Sequence, residues 1–292
     1  EICACLVGSE MCIRDRSSKS NLAGMNPTDY PEMARVSEGT TVRIPQDKLK
    51  EMISRVVFAI ATEDNRQILT GCLLEVEPTE ARLVALDGFR LAIQKAVMPF
   101  ELPGGKENVR VVIPGRVLNE MSKVLGDTDE YCTLVFDQSR MTASFGTTTL
   151  STVLLTGEYI DYRKILPASF RTTALADRVG VQNAIDRASL MAREGKNNLI
   201  RMSFSGDTLA ISSNAELGDV LEELETELTG DPIEIAFNAK YITDVIRNIT
   251  DEKLCMRFNS NVSPCVIAPQ EGEDYLLSLI HISEPTRHAQ IS

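Results

Sequence analysis

Two separate stretches of this chain, residues 109–118 and 233–242, share one pattern, an alternating strand-like run that passes directly into a helix. The apolar stripe of the first helix continues at Met121 and Leu125, and that of the second at Val245 and Ile249. A repeated unit of this size indicates two similar domains, which we expect to join near residues 166–168. The sequence therefore predicts an α+β fold in which helices cover one face of antiparallel sheets.

Another helix is predicted ahead of each of these stretches. After Asp47, apolar side chains recur at helical spacing from Leu49 to Ile60, and a similar stripe runs from Val181 to Met191. Residues 219–229 have two possible interpretations, because their apolar residues alternate as in a strand while their many Leu and Glu residues favour a helix. We predict a strand there.

Both ends of the chain resemble translated adapter DNA. Residues 6–16 can be encoded by a transposase-type sequencing adapter, and residues 277–287 by the reverse complement of that adapter. We therefore predict that residues 1–16 and 277–292 are adapter-derived, and we exclude them from the reasoning on fold and function. The alternative is a short N-terminal helix and a polar C-terminal tail.

The remaining chain is strongly acidic. The net charge of −12 changes only to about −11 when the two ends are left out. An acidic protein is poorly suited to coating DNA with its whole surface, because the phosphates repel it. Any contact with DNA therefore requires a locally basic face.

Four cysteines and no histidine remain between the two ends, namely Cys72, Cys132, Cys255 and Cys265. Because no two of them form a Cys-x-x-Cys pair, we predict neither a metal site nor a cofactor. Isolated cysteines in apolar runs are typical of core residues in a reducing compartment. The sequence also lacks a signal-peptide pattern and an apolar run long enough to span a bilayer, so we expect a cytoplasmic protein.

Three of the predicted helices carry two cations seven residues apart, which places both on one side of the helix. These pairs are Lys48 with Arg55, Arg116 with Lys123, and Lys240 with Arg247. A solvated helix face is the simpler interpretation of any single pair. Since the pattern recurs in an acidic protein, we predict a track for phosphates. The full set predicted to face DNA is Lys48, Lys50, Arg55, Arg66, Arg116, Lys123, Arg187, Lys240 and Arg247.

Three motifs resemble those of the bacterial DNA polymerase III beta subunit family, the replicative sliding clamps. Residues 86–92 read Leu-Asp-Gly-Phe-Arg-Leu-Ala, an Asp-Gly hairpin signal that is similar to the family's Asp-Gly-x-Arg-Leu-Ala signature. Residues 156–167 resemble the linker between the family's second and third domains, and residues 237–241 resemble the start of a helix in its third domain. Phe89 stands where the family often has His, and Ile160 where it often has Pro.

The resemblance implies a fragment of a three-domain chain. Residues 17–41 would be a remnant of clamp domain one, residues 42–167 the middle domain, and residues 168–276 the C-terminal domain without its last strand. In this family, two subunits form a closed ring around duplex DNA and tether the polymerase as a non-catalytic processivity factor. The full-length protein would then be a homodimer, whereas this chain, which lacks domain one, is expected to be monomeric.

The resemblance also implies partners and a pocket. The partners would be double-stranded DNA, bound non-specifically, and the DNA polymerase III catalytic subunit and clamp loader, bound through short clamp-binding peptides. The peptide pocket between the two domains would use Leu69, Gly88, Phe89, Arg90, Leu91, Ile160, Lys164, Ile165, Tyr241, Val262, Pro264 and Leu276.

Two other classes of function remain open on sequence alone. One is a peptide-binding scaffold that does not contact DNA. The other is a carboxylate-dependent hydrolase, since Asp and Glu are plentiful. The hydrolase has little support, because the sequence contains no phosphate-binding Gly loop, no Gly-x-Ser-x-Gly elbow and no trusted histidine for acid–base chemistry.

Overall fold

The computed structural model describes residues 10–15, 18–23, 35–36, 38–62, 64–102, 108–194, 198–216, 218–270 and 274–279. Two compact units divide the chain, Glu1–Arg35 and Val36–Ser292. The first unit contains an antiparallel hairpin of β1 (Glu10–Asp15) and β2 (Ser18–Ala23). Much of the predicted adapter sequence and of the predicted domain-one remnant lies outside the described residues, and both assignments stay predictions.

The second unit holds two domains. The elements of the middle domain are β3 (Thr40–Pro45), α1 (Gln46–Val56), 3-10 turns at Val57–Ala59 and Asp64–Thr70, β4 (Gly71–Val76), β5 (Glu80–Leu86), β6 (Arg90–Val97), β7 (Val109–Pro114), α2 (Gly115–Val124), β8 (Tyr131–Phe136), β9 (Arg140–Phe145) and β10 (Thr148–Val153). A linker with a 3-10 turn at Tyr162–Lys164 leads to the C-terminal domain. Its elements are β11 (Thr172–Asp177), α3 (Arg178–Glu194), β12 (Leu199–Ser205), β13 (Thr208–Ala215), β14 (Gly218–Thr229), β15 (Ile233–Asn238), α4 (Ala239–Arg247), β16 (Lys253–Phe258), β17 (Cys265–Pro269) and β18 (Tyr275–Leu279).

The two domains repeat one order of elements, which confirms the predicted internal repeat and the α+β class. In both domains the second helix starts at the residue after a strand, at Gly115 after β7 and at Ala239 after β15. Asn238 caps α4, because its side chain accepts a hydrogen bond from the backbone N–H of Lys240 at 2.9 Å. The ambiguous segment forms β14, so the predicted strand is confirmed.

Each helix buries its apolar stripe against the sheets and leaves polar side chains on its other side. In α1 the stripe consists of Leu49, Met52, Ile53 and Val56, and in α4 of Ala239, Ile242, Val245 and Ile246. These side chains join one main core that runs through both domains. Burial of apolar surface stabilises the folded protein by about 25 cal/mol per Å². Each helix therefore lies with its apolar stripe against the sheets.

A sheet of twelve strands crosses the boundary between the domains. The crossing pair is β18 with β6, in which Tyr275 lies opposite Gln94 and Leu279 opposite Arg90. The hydroxyl of Tyr275 donates a hydrogen bond to the backbone carbonyl of Arg55 in α1, at 2.9 Å. Main-chain pairing and this tyrosine therefore tie the C-terminal domain to the middle domain.

The structure differs from the expectation that the C-terminal domain lacks its last strand. Leu277, Ser278 and Leu279, which are predicted to be adapter-derived, form part of β18. Within its domain, β18 occupies the place that β10 has in the middle domain, next to the preceding strand of the hairpin. Backbone pairing needs no particular side chain, and Leu277 and Leu279 supply the alternate apolar residues that the core accepts.

The four cysteines are free and buried. Burial raises the pKa of the Cys132 thiol to about 12, so the reactive thiolate is scarce at neutral pH. In the described part of the chain, no group of three or more His, Cys, Asp or Glu residues could hold a metal ion. Nor is any described helix long and apolar enough to cross a membrane.

Ser278 provides a test of how well β18 fits its site. Its side chain is 1% exposed, and its Oγ has no hydrogen-bond partner among the described residues. Because an unpaired buried hydroxyl costs about 1–3 kcal/mol, we expect Ser278→Val to stabilise the protein by about 1 kcal/mol. In a thermal unfolding experiment this corresponds to a rise of about 2–4 °C in the midpoint.

The matched control for this substitution is Ser144→Val, on the exposed side of β9. We expect it to change stability by less than about 0.5 kcal/mol. A lower midpoint for the Ser278 variant would show that the hydroxyl is hydrogen-bonded or that the site has no room for a second methyl group.

Candidate functional site

The Asp-Gly motif forms the predicted hairpin turn between β5 and β6. Oδ1 of Asp87 accepts hydrogen bonds from the backbone N–H groups of Phe89 at 2.9 Å and Arg90 at 3.0 Å. Gly88 has a φ of +94°, in the left-handed region that a side chain disfavours. The turn therefore holds Phe89 and Arg90 in fixed positions at the edge of the middle domain.

Arg90 connects this turn to the C-terminal domain. Its Nε donates to Asp87 Oδ2 at 3.0 Å, and its Nη1 donates to Asp244 Oδ2 at 2.5 Å. The guanidinium carbon also lies 5.3 Å from the ring centre of Phe58 and 5.0 Å from that of Tyr241. Arg90 is only 7% exposed, so its guanidinium has lost most of its hydration. The two carboxylates and the two aromatic rings compensate for this loss.

Aromatic stacking adds a second connection across the same boundary. The rings of Phe89 and Tyr241 are 5.2 Å apart with an interplanar angle of 17°. Phe89 is 52% exposed, so one side of this stack remains open to solvent. We call the group of Phe89, Arg90, Tyr241 and Asp244 the domain seam.

An apolar cluster, separate from the main core, lies beside the seam and contains β6 and linker residues. Its buried members are Leu69, Leu73, Val84, Leu86, Leu91, Ile93, Val112, Tyr159 and Tyr162. Partly buried side chains pack against it, including Ile68, Leu155, Ile160, Leu166 and Leu276. The cluster thus brings together Leu69, Leu91, Ile160 and Leu276 from the predicted pocket, although these residues are far apart in the sequence.

The remaining predicted pocket residues are more scattered. Gly88 is exposed at the tip of the turn, and Lys164 is exposed in the linker, where it pairs with Asp161 at 3.1 Å. Among the described side chains, Ile165 and Val262 do not belong to the apolar cluster, and Val262 is 67% exposed. Pro264 is half-buried just before β17.

A cavity of about 1370 Å³ lies along the linker. It is lined by residues 38–40, 108–112, 136–138 and 154–159, together with a few neighbours. Lys164 is the one predicted pocket residue in its described lining. The cavity is therefore distinct from the seam and from the greater part of the predicted pocket.

Sequence reasoning missed Phe58 and Asp244, which both contact Arg90. Asp244 lies three residues after Tyr241 on α4, about one turn along the same helix face. This spacing could have indicated that Asp244 lies beside Tyr241 at the site. Phe58 lies in the 3-10 turn after α1, and nothing in the neighbouring sequence marks it as a partner for Arg90.

The predicted DNA-facing cations are mostly paired with carboxylates at the surface. The pairs are Lys48 with Glu51 at 3.3 Å, Lys50 with Asp127 at 2.8 Å, Lys123 with Glu120 at 2.9 Å, Arg187 with Glu222 at 2.7 Å and Arg247 with Asp186 at 2.9 Å. The hydrogen bonds from Arg187 hold the pKa of Glu222 below its usual range. Arg66, Arg116 and Lys240 are exposed and form no salt bridge within the described part of the chain. Arg116 nevertheless acts on Glu120, because it adds to the effect of Lys123 in lowering the pKa of that carboxyl.

Arg55 was predicted to face DNA from the side of α1 opposite the apolar stripe, but its side chain packs against other residues of the protein. Its guanidinium lies 5.3 Å from the ring centre of Tyr275, and its Nη1 donates to Gln94 Oε1 at 3.3 Å. It also pairs with Glu51 at 3.0 Å, and its side chain is only 24% exposed. Gln94 belongs to β6 and Tyr275 to β18, so Arg55 packs on the junction of these two strands.

Asp244→Asn tests the importance of the seam for stability. The substitution preserves the shape of the side chain but removes the charge that faces buried Arg90, so we expect a loss of about 1–3 kcal/mol. Thermal unfolding should show a lower midpoint. Asp186→Asn is the control, because it removes a carboxylate from an exposed pair with Arg247 and should cost less than about 0.5 kcal/mol. Equal losses of stability in the Asp244 and Asp186 variants would contradict a special role for the seam.

Comparison with known proteins identifies both domains. The family described as "DNA polymerase III beta subunit, central domain" matches residues 43–161, and the family described as "DNA polymerase III beta subunit, C-terminal domain" matches residues 163–281. The beta sliding clamp of Staphylococcus aureus is 32% identical over 265 residues, which cover 90% of this chain and 69% of that protein.

Solved structures agree with this assignment. The crystal structure of the DNA polymerase sliding clamp from Bacillus subtilis has a TM-score of 0.87 and 31% identity, over 94% of this chain and 72% of that one. The DNA polymerase III beta subunit from Thermotoga maritima has a TM-score of 0.86 and 27% identity, over 96% of this chain and 75% of that one. The chain therefore belongs to the DNA polymerase III beta subunit family, the bacterial sliding clamps, which are non-catalytic processivity factors of DNA replication.

Proposed function

We propose that this chain works as part of a DNA sliding clamp in two ways. The seam and the adjoining apolar cluster bind short peptides of the replicative polymerase and the clamp loader, and the cations on the helices contact the DNA backbone. The observation that carries the proposal is the open Phe89–Tyr241 stack beside an apolar cluster built from both domains. Family membership removes the hydrolase alternative, because sliding clamps are not enzymes.

The peptide site is supported by its chemistry. Leu69, Leu91, Ile160 and Leu276 converge in one cluster, and such apolar surface binds apolar side chains of a peptide. Arg90 is already bonded to Asp87 and Asp244, so its charge is compensated within the protein. We infer that apolar contacts contribute more to peptide affinity here than ion pairs do.

Ile160→Ala should weaken peptide binding. The substitution removes apolar surface from the cluster, and a loss of about 1–2 kcal/mol corresponds to an affinity lower by about 5- to 30-fold. Fluorescence anisotropy with a labelled clamp-binding peptide measures this change. Leu190→Ala is the matched control, because Leu190 is 64% exposed on α3 and lies outside the cluster. Equal affinity of the wild type and the Ile160 variant would contradict the site.

We also expect wild-type chain to bind this peptide more weakly than a full-length homologue does. The resemblance implies that the C-terminal tail of the family completes this pocket, and residues 277–292 of this chain are predicted to be adapter-derived. The same anisotropy assay, run on both proteins, makes the comparison. Equal affinities would count against a contribution from the tail.

The DNA contact is supported by the nature of the cation pairs. Exposed ion pairs contribute only about 0–1 kcal/mol each, so a DNA phosphate can replace the carboxylate partner at little cost. Arg66 and Lys240 need no such exchange, since they form no salt bridge among the described residues. Arg116 interacts electrostatically with Glu120 but forms no direct salt bridge with a described residue. Such contacts are weak and independent of base sequence, which suits a ring that slides.

Charge reversal of Lys48, Arg116 and Lys240 to Glu should lower the affinity for duplex DNA. Each lost phosphate contact reduces the slope of log K against log salt concentration by about 0.9, and fluorescence anisotropy at several salt concentrations measures this slope. Arg43, Arg140 and Arg201, which are exposed on strands, are reversed as a control with the same change in net charge.

The two triple variants separate the competing functions. A larger loss of DNA binding in the helix variant, with peptide binding intact, supports the clamp proposal. Equal losses in both variants would indicate general charge repulsion and contradict a defined DNA face. If neither variant changes DNA binding, the chain is a peptide-binding scaffold.

We further propose that this chain is monomeric, although the full-length protein would be a homodimer. In the described sheets, β10 is an edge strand without a charged residue, and residues 218–225 of β14 pair with β13 alone. That part of β14 exposes Asp219, Glu223 and Glu225. Since β10 offers no cation to these carboxylates, the two edges are poor partners for each other.

Light scattering should therefore give the monomer mass of 32.2 kDa at all accessible protein concentrations. A stable closed dimer would contradict the proposed monomer and the argument from the mismatch of the two edges. We also propose a cytoplasmic location, because a clamp that acts in replication must reach the bacterial chromosome.

A further inference from the structure

A buried carboxylate lies next to the apolar cluster and has no part in the proposed contacts. Glu75 is in β4 and is only 3% exposed. Side chains alternate along a strand, so Glu75 shares a sheet face with Leu73, a member of the cluster, while Leu74 and Val76 face the main core. A buried carboxylate destabilises a protein strongly unless it is paired.

Four side chains surround this carboxylate. The hydroxyl of Tyr162 donates to Oε2 at 2.6 Å, and Nη2 of Arg163 lies 3.0 Å from the same oxygen. Nε of Arg110 in β7 lies 3.0 Å from Oε1, and Nη1 of Arg82 in β5 lies 3.7 Å from Oε2. Burial and the bond to Glu75 raise the pKa of Tyr162 to about 12, so its hydroxyl remains a donor at neutral pH.

Two of these partners, Tyr162 and Arg163, belong to the linker between the domains. The linker has a second anchor at Tyr159, whose hydroxyl donates to the backbone carbonyl of Val84 at 3.3 Å. Ile160, a wall residue of the proposed peptide site, lies between the two anchors in the sequence. Its position beside the cluster therefore depends on both ends of this short segment.

We propose that Glu75 is a positioning residue for peptide binding, because it anchors the linker through Tyr162 and Arg163 and thereby sets Ile160 against the apolar cluster. This inference rests on the proposed function of the site. Glu75 itself does not contact the peptide. Its effect on affinity passes through Ile160, and this dependence separates a positioning role from a general contribution to stability.

The test measures peptide affinity in a double-mutant cycle. Glu75→Gln keeps the side-chain shape and removes the charge, and it should weaken binding of a labelled clamp-binding peptide by at least about 3-fold, as expected for coupled neighbours. In the Ile160→Ala background the same substitution should have no further effect. Glu234→Gln is the control, because that carboxylate pairs with Arg201 at 3.3 Å while it is 57% exposed in the C-terminal domain.

Amide hydrogen exchange, measured on the whole 292-residue chain, gives a second measurement that needs no peptide. Glu75→Gln should speed up exchange in residues 157–167 and leave exchange in β12 and β15 unchanged. Tyr162→Phe should show a smaller change of the same kind. If the Gln variant fails to fold, the Tyr162 variant supplies both measurements.

The outcomes are distinguishable. If the wild type does not bind the peptide, the proposed function fails. Unchanged amide exchange in the linker of the Glu75 variant would overturn the anchoring role, whatever the result of the binding assay. If the wild type binds, equal affinity of the Glu75 variant would overturn the inference. A loss that persists undiminished in the Ile160 background would also overturn it, because the effect would not pass through the pocket wall.

Discussion

Main-chain pairing of β18 with β6 is the interaction on which the rest of the structure depends. It joins the sheets of two domains into one twelve-stranded sheet and brings the linker, the turn at Gly88 and α4 to one place. Backbone hydrogen bonds are tolerant of sequence, which explains why a segment predicted to be foreign can complete the strand. Leu277 and Leu279 fit the alternation of the core, and Ser278 alone carries an unpaired hydroxyl in this strand.

Two buried charges organise the surface beside this pairing. Arg90 links the middle domain to Asp244 of the C-terminal domain, and Glu75 links β4 to the linker. A buried charge loses much of its hydration, so it is tolerated only where several partners are correctly placed. That requirement makes both residues sensitive to the relative position of the segments they join. Their contribution is therefore greater to the geometry of the seam and linker than to overall stability.

The surface charges follow a different principle. The protein is acidic overall, and most of the cations on its helices are paired with neighbouring carboxylates. Exposed pairs of this type are weak and are screened further by salt. A protein that holds DNA by encircling it needs no tight contact, and weak pairs of this type are compatible with movement along the duplex. The proposed DNA contacts fit this requirement, because each can form and break at low cost.

The sequence by itself determined the parts of this structure that depend on local pattern. Periodic apolar residues predicted the helices and the strand at residues 219–229, and the repeat of a strand running into a helix predicted two similar domains. The Asp-Gly motif predicted the hairpin, and its neighbouring residues indicated the family. These features depend on contacts between residues close in the chain, so a sequence pattern is sufficient to show them.

Only the tertiary structure decided which distant side chains meet. The contacts of Arg90 with Phe58 and Asp244, and those of Glu75 with Arg110 and Tyr162, join residues that no local pattern connects. Arg55 shows the same limit, because its position opposite the stripe predicted a solvent-facing cation, whereas it packs on Tyr275. The strand that completes the C-terminal domain was also missed. In each case the outcome depends on how whole strands and helices pack together, and local spacing carries no information about that arrangement.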